Sequence, residues 1–414
     1  MTHALIIGGG IAGAVTAMAL HKAGIGSTVY EAYPAEAEDV GAFLVLFPNG
    51  LEALRTIDAH GPVLDASFPA SRIEMLSASG ERMGARPAST GAPADGGEGG
   101  EGGEPLGTRT LKRAALWRAL RDEAVRRGVA VEYGKRFVAA ETARDGTVTA
   151  RFADGTTARG DVLIGADGLH SLTRRLIDPD APEPRHTGQT TVCGYARDVP
   201  SELAPARGTY RMIRGSRAFL GCTLAPDGTV WWFANTPGEE LPRERLSTAT
   251  PDRAERWREH VAGLFADDAS PAAAIVRATG GEIVATNAYD IARTPHWSRG
   301  PLVVLGDAAH TAAPNAAQGA SMAIEDGVVL ARCLRDLPDA GDAFAAYERL
   351  RRERVETVVE QSARMNQRTV RNGSTDQEHA EPARRTPEGV EWLTHYRIDW
   401  NETVRAAEPD RRTG

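Results

Sequence analysis

Short apolar runs and helical stretches alternate in the chain, and they predict a parallel sheet. Residues 4–7 form an apolar run that ends in glycines, as a buried parallel strand does. Residues 11–23 read as a helix with small side chains, and residues 27–31 as the next strand. This strand–helix–strand unit, with further apolar strands at 161–166 and 301–305, indicates a doubly wound α/β architecture.

The middle of the chain changes to closely spaced strands. Strand-like runs are predicted at 190–196, 209–213, 218–224 and 229–234, and they indicate a second, antiparallel sheet. Turn signals at Ser79-Gly80 and Asp154-Gly155 predict two hairpins. Helices are expected at 111–127, 253–266, 319–334 and 344–370.

Three glycines follow the first strand and open its helix. Gly8 permits a tight turn, Gly10 lets the backbone approach a pyrophosphate, and Gly13 lets helix and strand touch. The helix N-terminus offers unpaired N–H groups to that pyrophosphate, and Glu31 can accept hydroxyls of an adenosine ribose. The dinucleotide contacts predicted in this unit are Gly8, Gly10, Ile11, Ala12, Gly13, Glu31 and Ala32. This unit alone does not separate FAD from NAD.

Two later segments favour FAD. Residues 165–168 (GADG) follow one strand, residues 306–310 (GDAAH) follow another, and residues 314–326 continue the latter. With these motifs in this order, the chain resembles the class A flavoprotein monooxygenases, the p-hydroxybenzoate hydroxylase-like aromatic hydroxylases. The likeness is particularly to short members such as salicylate hydroxylase and the FAD-dependent urate hydroxylases, and it spans roughly residues 3–370.

The resemblance implies a role for each matching position. Asp167 lies near the pyrophosphate and affects NAD(P)H use, Asp307 binds the ribityl chain, and Arg113 approaches the flavin. A helix that begins at Gly319 and Ala320 would direct its positive end at the flavin pyrimidine edge. The family usually has Gly-Gln-Gly where this chain has Ala317-Gln318-Gly319. If position 317 needs φ > 0, alanine is strained there by roughly 1 kcal/mol or more.

The implied fold is a Rossmann-like FAD-binding domain interleaved with a mainly antiparallel substrate domain, followed by C-terminal helices. The FAD-binding domain is predicted to comprise residues 1–70, 105–185 and 282–335. The substrate domain is expected at 71–90 and 186–281, a flexible Gly-rich loop at 91–104, and a helical region and tail at 336–414.

The implied activity is an FAD- and NAD(P)H-dependent monooxygenation of an electron-rich aromatic or enolic small molecule. In this family a flavin C4a-hydroperoxide delivers one oxygen atom of O₂, so no catalytic side chain is named and no metal is expected. Epoxidation, oxidative decarboxylation and Baeyer–Villiger oxidation on the same scaffold stay open. So does a non-catalytic protein that only carries flavin.

Composition narrows the partners. A formal charge of −8 disfavours nucleic acid and anionic membranes, which need a basic surface. The three cysteines are odd in number and scattered, which fits a reducing cytoplasm. The expected partners are a small-molecule substrate, O₂, and NADPH or NADH as transient co-substrate, in a monomer or homodimer.

Several other residues have two readings. Alternation sends Trp231 and Phe233 to one face of a strand and Trp232 to the other, where each face could contact substrate or only pack. His310 is expected to be structural rather than a general base. The arginines at 349, 351, 352 and 354 are expected to form a solvated face paired with Glu348, Glu353 and Glu356. Trp392, Tyr396 and Trp400 are expected to dock from one face of a short helix.

Overall fold

The computed structural model describes residues 2–34, 42–88, 106–246, 250–371 and 392–406, with side chains to 366 in the last helix. The strands are β1 (His3–Ile7), β2 (Gly26–Tyr30), β3 (Phe43–Leu46), β4 (Phe68–Pro69), β5 (Arg72–Leu76), β6 (Arg82–Pro87), β7 (Arg109–Lys112), β8 (Ala130–Glu132), β9 (Phe137–Thr142), β10 (Val148–Phe152), β11 (Thr157–Gly160), β12 (Val162–Gly165), β13 (Arg185–Ala196), β14 (Thr209–Arg214), β15 (Phe219–Leu224), β16 (Val230–Pro237), β17 (Ile283–Asp290), β18 (Ser298–Arg299) and β19 (Leu302–Val304). The helices are α1 (Ile11–Lys22), α2 (Pro48–Thr56), α3 (Gly61–Asp65), α4 (Arg113–Arg126), α5 (Leu172–Ile177), α6 (Arg243–Leu246), α7 (Pro251–Leu264), α8 (Ala272–Arg277), α9 (Gly319–Asp336) and α10 (Ala340–Arg371), with 3₁₀ turns at Gly306–Ala308 and Pro314–Ala316.

The first sheet places the carboxyl ends of its strands side by side. Its order is β18-β19-β12-β1-β2-β8, and all neighbours are parallel except β18 and β19. Ile7 at the end of β1 pairs with Gly165 on one side and Tyr30 on the other, and Gly165 pairs with Val304. The segments that follow β1, β12 and β19 therefore begin at one edge of the sheet, where α/β proteins bind ligands.

Helices α1 and α9 pack closely because a glycine lies at their crossing. A methyl group on Gly327 would lie 2.7 Å from the hydroxyl of Thr16 and 3.0 Å from its backbone nitrogen. The Thr16 hydroxyl turns inward and donates to the carbonyl of Ala12 at 2.8 Å. This contact fixes α9 against the helix that follows the glycine-rich turn.

The second sheet has the order β17-β13-β16-β15-β14-β5-β6 and is antiparallel apart from the β14–β5 pair. One face packs under α7 and α8 in an apolar core that includes Trp232, Phe265 and Ile275. The opposite face carries an aromatic cluster that includes Phe43, Tyr195 and Tyr210. Phe43 belongs to the small sheet β3-β7-β4, so that sheet faces the aromatic cluster.

The predicted α/β class, the parallel and antiparallel sheets and both hairpins are confirmed. Gly80 and Gly155 take φ of 79° and 84° at the two predicted turns. The domain boundaries stay a prediction, and the whole of the predicted Gly-rich loop, residues 91–104, lies outside the described residues. Along the described ranges, no helix has both the length and the apolar character needed to cross a bilayer.

The expectation of a solvated arginine face on α10 is wrong for two of its members. Arg351 and Arg354 are buried, because the carboxylates of Glu325 and Asp326 on α9 face them. Arg351 lies 2.6 Å from Glu325 and 2.7 Å from Asp326, and Arg354 lies 2.9 Å from Glu325. Arg352 does pair along the helix surface, with Glu348 and Glu356, as expected.

His310 extends this buried network to the turn after β19. Its Nε2 lies 2.5 Å from Asp326, whose other contacts are the backbone N–H of Gly306 at 3.0 Å and Arg351. Burial alone would raise the pKa of Asp326, but His310 and Arg351 outweigh it and lower the pKa to about 2. His310 therefore has a structural partner in the core, in agreement with its expected role.

The aromatic stripe near the C-terminus is not one helix. Helical structure covers residues 392–394, and Tyr396 and Trp400 follow outside any helix or strand. The arginines of α9 and α10 hold the rings instead: Arg354 lies 4.4 Å from the Tyr396 ring centre, and Arg335 lies 4.9 Å from that of Trp400. The expected single docking face is therefore wrong, because cation–π contacts to separate helices replace it.

We predict that Arg354→Met destabilises the protein by about 3–5 kcal/mol, since it leaves Glu325 buried with less compensation. The measurement is the free energy of unfolding in urea. The matched control is Arg364→Met on the same helix, where the Arg364 side chain is 72% exposed and pairs with Glu360. That control should cost about 0–1 kcal/mol. Equal losses in the two variants would contradict the importance of the buried pair.

Candidate active site

The glycine-rich turn after β1 is shaped by contacts that leave no room for a side chain. Gly8 has φ of 103°, and a methyl group there would lie 2.4 Å from the carbonyl oxygen of Ala166. A methyl group on Gly13 would lie 1.9 Å from the carbonyl oxygen of Gly8. A methyl group on Gly10, in contrast, would meet no atom within 4 Å. The turn is therefore tightly packed on its inner side and open at Gly10, where α1 begins without a side-chain cap.

Glu31 closes one side of this turn. One oxygen of its carboxylate accepts the N–H of Gly9 at 2.6 Å, and the other accepts the N–H of Tyr33 at 2.9 Å. These bonds place the carboxylate of Glu31 beside the glycine turn and fix the chain at Ala32. Its predicted contact with ribose hydroxyls stays a prediction.

Trp117 on α4 contacts this turn, and the sequence motifs do not reveal that contact. Its indole N–H donates to the carbonyl of Gly9 at 2.8 Å, and Arg121 stacks 4.6 Å from its ring centre. Trp117 lies one turn after Arg113, the first residue of α4, so the spacing of four could have indicated a shared helix face. The side chain of Arg113 is exposed, and its predicted approach to the flavin stays a prediction.

Asp167 organises the turn that follows β12. Its carboxylate accepts hydrogen bonds from the Ser171 hydroxyl at 2.5 Å and from the N–H and hydroxyl of Thr173, both at 3.0 Å. The side chain thereby stabilises the start of α5, while the backbone of Asp167 lies against Gly8. The geometry gives Asp167 a positioning role in the turn, and its effect on NAD(P)H use stays a prediction.

The turn after β19 inserts between the two helices that point at the site. A methyl group on Gly306 would lie 3.2 Å from the Cβ of Ala323 on α9 and 3.3 Å from the Cβ of Ala12 on α1. Asp307 follows and is half-buried, and its carboxylate makes no hydrogen bond within the described residues. Its Oδ1 lies 3.9 Å from where a methyl group on Gly319 would be. Among the residues that the structure describes, Asp307 is thus a carboxylate without a partner, close to the start of α9.

Backbone strain precedes α9, because position 317 meets the condition stated for it, a positive φ. Ala317 takes φ of 52° and ψ of 27°, the left-handed conformation that glycine adopts more easily. The helix then begins at Gly319 and Ala320 without a side-chain cap. Next to this terminus, the side-chain amide nitrogen of Gln318 and the hydroxyl of Ser321 are buried without a hydrogen-bond partner in the described part of the chain. Unpaired donors and the helix dipole therefore favour an anionic or polar ligand here.

The aromatic residues of β16 divide between two faces, as alternation predicts. Trp231 lies 5.6 Å from Phe43 and 5.2 Å from Phe68 between ring centres, and Phe233 lies on the same face. Trp232 is fully buried on the opposite face, where its indole N–H donates to the hydroxyl of Thr279 at 2.8 Å. The structure thus removes Trp232 from the predicted substrate contacts, because α7 and α8 cover its face, and it leaves Trp231 and Phe233 as candidates.

These features fit a long dinucleotide. The open surface at Gly10, two uncapped helix N-termini and the unpartnered carboxylate of Asp307 gather at one sheet edge, and the turns touch through glycines. A pyrophosphate suits the first helix, and a hydroxyl-rich chain suits Asp307. The fold and the site are those of a dinucleotide-binding protein of the flavoprotein class.

Comparison with known proteins identifies the family. The family model described as FAD binding domain matches residues 1–362. An aurachin C monooxygenase/isomerase of Stigmatella aurantiaca is 31% identical over 376 residues, 88% of each chain, and a 3-amino-4-hydroxybenzoate 2-monooxygenase of Streptomyces platensis is 34% identical over 359 residues, 86% of each. The structure of Klebsiella pneumoniae HpxO with FAD and uric acid matches with a TM-score of 0.74 and 26% identity, over 96% of this chain and 93% of that one. The chain belongs to the FAD-binding family of class A aromatic hydroxylases, so the predicted resemblance is confirmed, and FAD is its cofactor.

We predict that Asp307→Ala lowers the affinity for FAD by about tenfold to a hundredfold, because it removes a charged hydrogen-bond partner worth about 1.5–3 kcal/mol. The measurement is the dissociation constant of FAD, obtained by titrating FAD into the apoprotein. Asp180→Ala, in the exposed loop after α5, is the control and should leave this constant unchanged. Unchanged affinity in Asp307→Ala would remove Asp307 from the flavin site.

We also predict that Ala317→Gly is more stable than Ala316→Gly by about 1–2 kcal/mol, because position 317 has a left-handed backbone and position 316 does not. Both variants add the same backbone freedom to the unfolded chain, so their difference isolates strain in the native turn. The measurement is the free energy of unfolding of the two apoproteins. Equal stabilities would show that the turn is relaxed at position 317.

Proposed function

We propose that this FAD-dependent monooxygenase uses NADPH or NADH and O₂ to oxygenate an electron-rich aromatic or enolic small molecule, which binds over the aromatic face of β16. One observation supports this placement above others. The side chain of Asn235 follows Trp231 and Phe233 on the same face of β16, and it donates to Asn315 at 2.9 Å. Asn315 belongs to the 3₁₀ turn that leads into α9, so the aromatic face adjoins the start of that helix.

The residues at the sheet edge would hold FAD along its length. In this proposal the turn at Gly8–Gly13 and the N-terminus of α1 bind the pyrophosphate, with Glu31 beside the adenosine ribose. Asp307 would bind the ribityl hydroxyls, and the first residues of α9 would bind the pyrimidine part of the ring. When bound, FAD supplies the redox chemistry: it accepts hydride from the nicotinamide and passes electrons to O₂.

The chain itself contributes position, electrostatics and exclusion of water. The uncapped start of α9 directs unpaired N–H groups and the positive end of the helix dipole toward the place proposed for the ring, which favours a negative charge there. The apolar rings of Trp231, Phe233 and Phe43 would keep water from the reacting atoms. Cys193 and Cys222 on this sheet do not suit a nucleophilic role, since both are buried and burial raises the pKa of their thiols to about 12.

We predict that the purified protein, loaded with FAD, oxidises NADPH or NADH faster when a suitable phenol, quinol or polyketide-like aromatic is present. The product should be heavier by one oxygen atom, and labelled O₂ should supply that atom. Nicotinamide oxidation with and without each compound, followed by mass detection, is the measurement. Apoprotein is the control and should consume no nicotinamide.

The product also separates the remaining outcomes on this scaffold. An epoxide, a decarboxylated product or a ring-inserted ester would show that the enzyme catalyses a different oxygenation and not hydroxylation. If no compound stimulates nicotinamide oxidation and no product carries labelled oxygen, the proposed reaction is wrong.

A further inference from the structure

The rings on the substrate-facing side of β16 form a continuous wall with little charge around it. Trp231 is central: Tyr195 lies 5.3 Å away and Phe68 lies 5.2 Å away, both edge-on to its ring. Lys112 borders this wall, with its ammonium group 4.6 Å from the ring centre of Tyr195, and Glu282 lies 3.9 Å from that ammonium group. A planar, uncharged ring system suits such a surface, because a substrate carboxylate would gain little from a cation that already has an anionic neighbour.

A glycine opposite Phe233 determines how far its ring projects from this wall. Gly221 on β15 pairs directly with Phe233, and the Cε1 and Cζ atoms of the Phe233 ring lie over it. A methyl group on Gly221 would lie 2.4 Å from Cε1 and 2.5 Å from Cζ of that ring. Real side chains do not approach so closely, so any residue larger than glycine must lift Phe233 away from the sheet. The ring would then occupy part of the space above the aromatic wall.

The opposite face of the same strand contains a matching pair that is closed to substrate. Gly194 on β13 pairs with Trp232, and a methyl group on Gly194 would lie 2.5 Å from Cζ2 of the indole. Trp232 is fully buried and bonded to Thr279, so it cannot move outward as Phe233 can. Each glycine therefore lies beneath an aromatic ring of β16, but Gly194 lies on the buried face of the sheet and Gly221 on the proposed substrate face.

From these contacts we infer that Gly221 is a specificity-determining residue: by letting the Phe233 ring lie close to the sheet, it opens the aromatic face to flat, uncharged ring systems larger than one ring. The inference rests on the proposed function, since it takes this face as the substrate surface. It assigns to Gly221 an effect on the size of the substrate and not on the oxygenation itself.

The test is calorimetric titration of the FAD-loaded protein with three probes: phenol, 2-naphthol and 4-hydroxybenzoate. In the unsubstituted protein 2-naphthol should bind more tightly than phenol by about tenfold or more, and 4-hydroxybenzoate should bind most weakly. In Gly221→Ala the affinity for 2-naphthol should fall by about tenfold, while that for phenol changes by less than about threefold. Tightest binding of 4-hydroxybenzoate, or equal loss for phenol and 2-naphthol, would overturn the inference.

Two further variants separate a change in the site from a change in folding. Gly194→Ala should lower the unfolding temperature by overpacking the core and leave the preference for 2-naphthol over phenol unchanged. In the Phe233→Ala background, Gly221→Ala should no longer weaken 2-naphthol binding, because no ring remains to be lifted. If Gly221→Ala does not fold, Phe233→Ala alone decides: it should shift the preference further toward 2-naphthol, and an unshifted preference refutes the inference.

The flavin content and nicotinamide oxidation of the unsubstituted protein are recorded beside these titrations. If that protein holds FAD and oxygenates an aromatic compound, but Gly221→Ala leaves the size preference intact, only the role of Gly221 fails. If it holds no FAD or oxygenates no compound, the proposed function fails first.

Discussion

The close approach of three backbone turns at one edge of the parallel sheet is the constraint on which the site depends. The turn after β1 touches the turn after β12 where Gly8 faces the carbonyl of Ala166, and the turn after β19 fits between α1 and α9 at Gly306. None of these contacts leaves space for a Cβ atom without displacement. Because the strands are parallel and end at the same edge of the sheet, the three turns begin side by side. The glycines then let the turns come close enough to contact one extended ligand.

Buried ion pairs keep helix α9 in place. The carboxylates of Glu325 and Asp326 point from α9 into α10, where Arg351 and Arg354 neutralise them. Asp326 also accepts the N–H of Gly306, so the same network that joins the helices holds the turn before Asp307. Apolar packing alone would allow α9 to slide or rotate on its neighbours, whereas directional ion pairs define one position. The direction of the helix dipole at the flavin site thus depends on charges remote from the ligand.

Much of this could be predicted from the sequence, and the parts that could not have physical reasons. The parallel strands and the glycine turn follow from local rules of backbone geometry and periodicity, whereas Ala317 stands out through its departure from the family's Gly-Gln-Gly. The burial of Arg351 and Arg354 depends on partners on another helix, and local charge pattern favoured Glu348 and Glu356 instead. A signal was present, because both arginines share a helix stripe with buried apolar residues such as Val355. The hydrogen bond from Trp117 to Gly9 joins segments far apart in the chain, which periodicity within one segment cannot reveal.

The two faces of β16 show how one strand can serve stability and specificity independently. Alternation assigns Trp232 to the core and Phe233 to the proposed substrate face, and each aromatic ring lies over a glycine of the neighbouring strand. The core ring is held by a hydrogen bond to Thr279 and by the helices above it, so its position is fixed by the fold. The ring on the other face has no such anchor, and its height above the sheet is set by the residue opposite. A change at that position alters the shape of the aromatic face while the core packing of the same strand stays intact. The size of substrate that such a scaffold accepts can therefore change at little cost to the stability of the fold.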